Sequence, residues 1–325
     1  MKNIYLNIYR PNLRNLKKAK KFIENNNIIG LPTETVYGLA GNAYSSKSVK
    51  KIFSLKKRPF YNPLIIHFKN LKKLKDDALI NESFIKLYKA FCPGPITFIL
   101  KKNLKSKISS IATAKKNTIA VRFPKHKVAR KLLGLLKIPL AAPSANISSK
   151  LSPTSSNDVV DEFKSKIKFI LDGGKSTIGL ESTIIDLTVS PKILRPGSIT
   201  SEKISKILRR KIKINQKGKK IKAPGQLESH YSPGIPVFIG IKSPKKGDAV
   251  IGFGKKFKIK KNHFNLSKNA NLNQAANNLY RTLRKIKNNG FKSIIVNKIP
   301  NIGIGIAIND RLKRASNKWR LKLKI

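Results

Sequence analysis

Strand-length apolar runs alternate with stretches of helical period over the first two thirds of this chain. Such runs fall at 28–31, 64–68, 96–100, 118–123, 140–142, 167–171, 183–187 and 192–194. Between them, Leu13, Leu16, Ala19 and Ile23 recur at helical spacing, and 48–56, 82–91 and 127–136 carry the same amphipathic pattern. Strands that alternate with helices, with some strands following one another directly, predict an α/β domain built on a mixed sheet. The pattern breaks at 212–236, which is rich in Lys, Gly and Pro and has no period, and reads as a linker after a first domain at 1–211. Beyond it, strands at 237–241, 249–253 and 293–296 and helices at 273–289 and 306–316 predict a smaller, Rossmann-like α/β domain over 237–325. Two domains suit a length of 325 residues.

Composition excludes several classes. Cys92 is the only cysteine, so there is no intrachain disulfide and no cysteine-based metal cluster. The apolar runs are too short to span a membrane, and Met1 to Tyr5 lack the apolar core of a secretory signal. A cytoplasmic protein with no membrane partner is expected. The formal charge of +55 comes nearly all from lysine, scattered from Lys2 to Lys324 among abundant Asn and Ile. Scatter of that kind reflects A/T-rich codons before it reflects a nucleic-acid surface, and the charge alone establishes no nucleic-acid partner.

Two nucleotide motifs fail on inspection. Gly174-Lys175-Ser176 looks like the end of a phosphate loop, but the first glycine of that pattern falls on Phe169. Gly303-Ile304-Gly305 opens a helix, but the third glycine position is Ile308. His67, His126, His230 and His263 lack zinc-protease spacing, and there is no Gly-x-Ser-x-Gly elbow. The stronger signal is a set of polar clusters at strand ends: Pro32-Thr33-Glu34-Thr35 through Leu39, Lys56-Lys57-Arg58-Pro59 with Asn62, and Pro93-Gly94-Pro95. Arg122, Pro143-Ser144-Ala145-Asn146, Ser152-Pro153-Thr154, Gly179 through Thr183, and Arg195-Pro196-Gly197 continue the series. Each alone is ordinary turn or cap chemistry. Together they gather cations, hydroxyls and backbone N–H groups where strands end, the chemistry of phosphate recognition and of an ATP-binding enzyme.

The order of these clusters from Pro32 to Pro196 resembles the YrdC-like fold of threonylcarbamoyl-AMP synthases. Ala223-Pro224-Gly225 and Ser229-His230-Tyr231-Ser232-Pro233 are similar to the linker of that family's long form. Leu279-Tyr280-x-x-Leu283-Arg284 and Gly303 through Ala315 are similar to its C-terminal domain. The resemblance implies synthesis of L-threonylcarbamoyl-AMP from L-threonine, bicarbonate or CO2, and ATP, with release of pyrophosphate. A separate tRNA threonylcarbamoyl transferase would then modify adenosine 37 of tRNA. It implies Lys56, Arg58, Ser144 and Asn146 as catalytic residues. Arg58, Asn62, Thr118, Ser144, Ser152, Arg195 and Tyr231 would bind ATP, and Thr35, His67, Arg122, Ala142 and Ser182 would form the threonine pocket. Arg122 suits a bidentate grip on a carboxylate. Mg2+ is expected to arrive on the ATP phosphates, with no protein metal cage. The linker is expected to fold back over the site with Tyr231 reaching the nucleotide, hinged at glycines such as Gly218, Gly225 and Gly234. The competing expectation is a basic RNA-binding or ribosome-associated module. Against it stand the missing RRM, KH and zinc-knuckle signatures and an aromatic content of only 7%.

Overall fold

The computed structural model describes residues 6–215, 224, 229–240, 244–258 and 260–320. Its first domain is a ten-stranded mixed sheet. The strands are β1 (Ile8–Tyr9), β2 (Ile29–Leu31), β3 (Gly38–Asn42), β4 (Ile65–His67), β5 (Ile96–Lys101), β6 (Thr118–Arg122), β7 (Leu140–Ala141), β8 (Ile170–Leu171), β9 (Thr183–Asp186) and β10 (Lys192–Arg195). Across the sheet they run β1-β8-β2-β3-β7-β4-β6-β5-β9-β10. The helices are α1 (Leu13–Glu24), α2 (Ser46–Lys56), α3 (Glu82–Phe91), α4 (Lys127–Leu135), α5 (Ser156–Phe163) and α6 (Ser201–Leu208).

Side chains alternate across a strand, and the two faces of this sheet meet different fates. Ile66, Phe98, Val121, Ile185 and Ile193 point into the main core with Ile52 and Phe53 of α2, Phe84 of α3, Val160 of α5 and Ile204 of α6. On the opposite face, Leu31, Ala40 and Leu140 pack against Leu16 and Ile23 of α1 and Leu132 of α4. That second helical layer covers only the β1-β8-β2-β3-β7 half. Over β4, β6, β5, β9 and β10 the same face carries a small separate cluster of Ile65, Ile99, Ala120, Ile184 and Leu194. Half of one sheet face therefore has no helix of its own domain over it.

The second domain has four parallel strands in the order β11-β14-β12-β13, from β11 (Val237–Ile239), β12 (Asp248–Gly252), β13 (His263–Asn265) and β14 (Ser293–Val296). Helices α7 (Leu272–Asn288) and α8 (Gly305–Arg320) pack on it. Leu279, Leu283, Ile286, Ile308 and Leu312 form its core, and that cluster runs on without a gap into Val36, Leu151, Leu180 and Tyr231 of the first domain and linker. The two domains share one apolar seam. Of the linker, Ile212 is buried in the first core, and Lys213 to Asn215 run beside Ile193 of β10 (Ile193 N donates to Lys213 O at 3.0 Å and Asn215 N to Ile193 O at 2.9 Å). The expected hinges Gly218 and Gly225, and Ala223 beside them, lie outside the described residues.

Several elements exceed the sequence expectation. β3 is a strand of Gly-Leu-Ala-Gly-Asn, which has no β-branched residue; its pairing with β2 and β7 makes it one. α5 is closed by a capping box in which Ser155 accepts from the Asp158 N–H and Asp158 reaches back to the Ser155 N–H. Helix α6 begins at a Thr200 cap. The strand expected at 167–171 is shorter, Ile170–Leu171, and a 3-10 turn at Lys164–Lys166 precedes it.

Candidate active site

The uncovered half-sheet floors a cavity lined by Arg58, Ile65, His67, Arg122, Ala142, Ser144, Glu181, Arg195, His230 and Tyr231, together with Thr33, Val36, Tyr37, Gly38, Pro143 and Pro224. The room it leaves for solvent is about 40 Å3, space for a few water molecules at about 10–15 Å3 each. Its rim on one side is the linker, through Pro224, His230 and Tyr231.

Parallel pairing of β4 with β6 sets His67 opposite Arg122 and Ile65 opposite Ala120. Thr118, Ala120 and Arg122 then share one face of β6, with Thr118 about 13 Å along the strand from Arg122 at 3.3 Å per residue. Arg122 is held from behind: its Nη2 donates to Glu34 Oε1 at 2.7 Å, both side chains nearly buried. Glu34 Oε2 accepts from the Lys125 N–H at 3.0 Å and the His126 N–H at 3.3 Å. Burial alone would raise the Glu34 carboxyl, but the Arg122 charge and these hydrogen bonds hold it below its ordinary value. His67 is buried with both ring nitrogens unpartnered among the described residues, and burial, reinforced by Arg122, keeps it neutral at pH 7.

At the other end, Lys57 closes α2 in the left-handed conformation (φ 49°), and the chain turns so that the Arg58 N–H donates to Phe53 O at 3.0 Å. The Arg58 side chain is thereby thrown toward Asn62. Its Nε donates to Asn62 O at 2.9 Å, and Nη2 to Asn62 Oδ1 at 2.5 Å and Pro63 O at 2.8 Å. Burial, then the nearby Arg195 guanidinium, brings Arg58 down to about 9. Lys56 turns away from the cavity: its Nζ donates to the carbonyls of Ser144 and Asn146, each at 2.5 Å, and fixes the loop that follows β7. Burial, then Arg58, pushes the Lys56 ammonium well below the ordinary lysine value, with Glu162 opposing. Arg195 donates from Nε and Nη2 to Ser182 O (3.1 and 2.9 Å) and from Nη2 to Ser182 Oγ at 3.1 Å.

Of the residues expected from the sequence, Arg58, His67, Arg122, Ala142, Ser144, Arg195 and Tyr231 line one cavity. The rest stand behind that wall: Asn62 against Arg58, Lys56 and Asn146 against the Ser144 loop, Ser182 against Arg195, and Ser152 against Glu181. Thr35 sits behind Thr33, with hydroxyls 2.9 Å apart. Thr118 lies beyond the cavity at the far end of β6. Sequence reasoning assigned no role to Glu34 or Glu181, although both stand in the strand-end clusters. Their partners are 88 and 130 residues away, and no local pattern signals them. Among the described residues there is no cluster of three or more His, Cys, Asp or Glu side chains able to hold a metal; Glu181, which lines the cavity, is engaged with Arg311, and Glu34, behind the wall, with Arg122. No helix among them is long and apolar enough to cross a membrane.

A mixed sheet half bare on one face, walled by guanidinium groups and closed by a linker, defines an enzyme of the YrdC-like fold joined to a second α/β domain. The Sua5/YciO/YrdC family model, described as "Telomere recombination", matches residues 21–197, and the model described as "Threonylcarbamoyl-AMP synthase, C-terminal domain" matches residues 199–317. The threonylcarbamoyl-AMP synthase of Pyrococcus abyssi is 37% identical, over 95% of this chain and 96% of its own. That of Bacillus subtilis is 34% identical, over 93% and 92%. The crystal structure of P. abyssi Sua5 complexed with L-threonine superposes with a TM-score of 0.87 at 36% identity, over 95% of this chain and 97% of that one. The chain belongs to the threonylcarbamoyl-AMP synthase family, in its two-domain form.

Proposed function

We propose that this chain is an L-threonylcarbamoyladenylate synthase, a cytoplasmic nucleotidyltransferase that condenses L-threonine, bicarbonate or CO2, and ATP and releases pyrophosphate. The observation that carries the reading is a set of buried polar atoms without a protein partner among the described residues: Asn62 Nδ2, both His67 ring nitrogens, Arg122 Nε, Asn146 Oδ1 and Tyr231 Oη. Buried polar groups left unmatched cost about 1–3 kcal/mol each. Their concentration in and just behind one wall marks where a polar ligand docks. Threonine bound to the P. abyssi relative supports the same substrate here.

In this reading Arg122, braced by Glu34, grips the threonine carboxylate through its free Nε edge, and Thr35, Ala142 and Ser182 shape the remaining pocket. Neutral His67 offers an acceptor nitrogen to the amine. The amine nitrogen attacks CO2 and loses a proton, and a carbamate oxygen then attacks the α-phosphorus of ATP as the bond to pyrophosphate breaks. Carbamate and triphosphate are both anions, so cations must offset their repulsion and the charge that grows on the leaving group. Arg58 and Arg195 supply it. Lys56 contributes by holding the carbonyls of Ser144 and Asn146 and so the position of their side chains, while Asn62, Thr118, Ser152 and Tyr231 complete the nucleotide side. Magnesium rides on the triphosphate. A nucleotide does not fit in the enclosed space, so the linker residues at the rim move when ATP enters and return to keep water from the carbamate. The adenylate is substrate for a separate tRNA threonylcarbamoyl transferase, and its synthesis requires no contact between this chain and tRNA. The comparisons support this reading and not the RNA-binding module.

The purified chain is expected to release pyrophosphate from ATP only when L-threonine and bicarbonate are both present. Equal release without threonine would remove the proposed function. Glu34→Gln should raise the threonine KM about tenfold or more and leave the ATP KM within about twofold, since the hydrogen bond lost is to a charged group worth about 1.5–3 kcal/mol. Equal changes in both KM values would show that Glu34 supports the fold and not the carboxylate grip.

A further inference from the structure

Helices α7 and α8 of the second domain reach the wall of the cavity at one carboxylate. Glu181 lines the cavity, and four contacts converge on it. Ser152 Oγ donates to its Oε1 at 2.5 Å. Tyr280 Oη, from α7, lies 3.1 and 3.0 Å from its two oxygens. Arg311 Nε, from α8, donates to Oε2 at 2.9 Å. Both Glu181 and Arg311 are nearly excluded from solvent. The same two helices hold Tyr231. Its ring lies under the Arg311 guanidinium, 5.0 Å from ring centroid to Cζ, and stacks on Tyr280 at 5.9 Å. Asp310 aligns Arg311 from the other side (Nη1 to Oδ2 at 2.7 Å), and the His230 N–H donates to Arg314 O at 3.2 Å. Burial alone would raise the Glu181 carboxyl; Arg311 first, then Arg195 and the two hydrogen bonds, bring it to about 2.

We infer that the C-terminal domain is part of the active site: Tyr280 and Arg311 are positioning residues that set the nucleotide side of the cavity through Glu181 and Tyr231. The inference rests on the synthase reading, in which Ser152 and Tyr231 meet ATP. A carboxylate can aim the Ser152 hydroxyl only while it is itself fixed, and among the described residues its other side-chain hydrogen bonds come from the second domain. The seam around the hub is built to the same tolerance. Arg284 of α7 pairs with Asp158 at 3.2 Å, and Asn277 Nδ2 donates to the carbonyls of Ser176 and Thr177, each at 2.8 Å. Gly179 passes α7 so closely (φ +77°) that a Cβ there would come within 2.7 Å of Asn277 Cα. Small changes at α7 or α8 therefore bear directly on the loops that carry Ser152, Glu181 and Ser182.

The test uses the full chain with Tyr280→Phe, Arg311→Lys, Arg311→Met, Ser152→Ala and the Ser152→Ala/Tyr280→Phe double variant. Pyrophosphate release is measured against ATP and threonine separately, ATP affinity by calorimetry, and stability by thermal unfolding. Tyr280→Phe keeps the ring and removes one hydroxyl, so it should fold as the wild type does. It is expected to raise both the ATP Kd and the ATP KM about tenfold, the effect of one hydrogen bond to a charged group, with threonine KM within about twofold. Arg311→Lys should retain more ATP affinity than Arg311→Met. The double variant should lose less than the product of the two single losses, because Tyr280 acts on Ser152 through Glu181. Wild-type ATP affinity in Tyr280→Phe, or strict multiplication in the double variant, overturns the hub while leaving the synthase reading intact. A wild-type chain that releases no threonine-dependent pyrophosphate overturns the reading and the hub with it.

Discussion

Arg58→Ala is expected to cut threonine-dependent pyrophosphate release by roughly 30- to 1,000-fold, whereas Lys261→Gln should leave it within about twofold. The contrast follows from where the charges sit. Arg58 is buried at the cavity wall, and losing a charged contact in a desolvated site costs about 2–4 kcal/mol. Lys261 is exposed, like most of the lysines behind the net charge of +55, and an exposed charge is worth close to nothing. Arg58 also ties down the turn to Pro63, so the variant should be checked for an unchanged unfolding temperature. Comparable losses at the two positions would contradict the assignment of Arg58 to the phosphates. The same outcome would revive the idea that dispersed charge, and not a built site, drives binding.

The second large effect belongs to the linker. Tyr231→Ala should lose most adenylate synthesis and also lower the unfolding temperature, since its ring is buried against Tyr280 and Arg311. Tyr231→Phe, which keeps the ring, separates the two effects, and a chain ended at Asn215 should fall in the same direction as Tyr231→Ala. Tyr231 is buried, sits in the left-handed region (φ 62°) and carries a hydroxyl without a protein partner among the described residues, all at the rim of the cavity. A residue held in that conformation needs its surroundings to keep it there. Ending the chain at Asn215 preserves the strand-like run beside β10 but uncovers Val36, Leu151 and Leu180, so solubility must be verified and Tyr231→Ala remains the cleaner test. With ATP and threonine added together, the linker should gain protection from protease. If both variants turn over as fast as the intact chain, the linker is a connector and closes nothing.

Much of this architecture can be read along the chain, because burial imposes a period. The strands at Ile96–Lys101 and Thr118–Arg122 and the helix at Glu82–Phe91 show as apolar repeats. β3 does not, since small residues become a strand there only by pairing with neighbours distant in sequence. Helix α5 had a local signal, Ser155 followed by Asp158, that a search for apolar periodicity passes over. The site divides the same way. Arg58, Arg122 and Arg195 stand in clusters at strand or helix ends, where turn chemistry advertises them. What they touch is a matter of long-range geometry. Lys56 illustrates the limit: its motif proposes a cation for phosphate, and only the fold reveals that its ammonium is occupied by the Ser144 and Asn146 carbonyls.

The bond between Glu181 and Arg311 also has a history in time. A ribosome delivers the chain from its N-terminus, and the two partners are 130 residues apart. At about 5–20 residues per second, the carboxylate leaves the ribosome roughly 7–26 seconds before the guanidinium that neutralises it. During that interval the sheet can form, because all ten of its strands precede Glu202. Until then the carboxylate has the Arg195 charge near it and the Ser152 hydroxyl on it, but lacks its direct ion pair. A chain ended before the last helix is therefore expected to keep its sheet and its cationic wall but to leave Glu181 without the partner that fixes it.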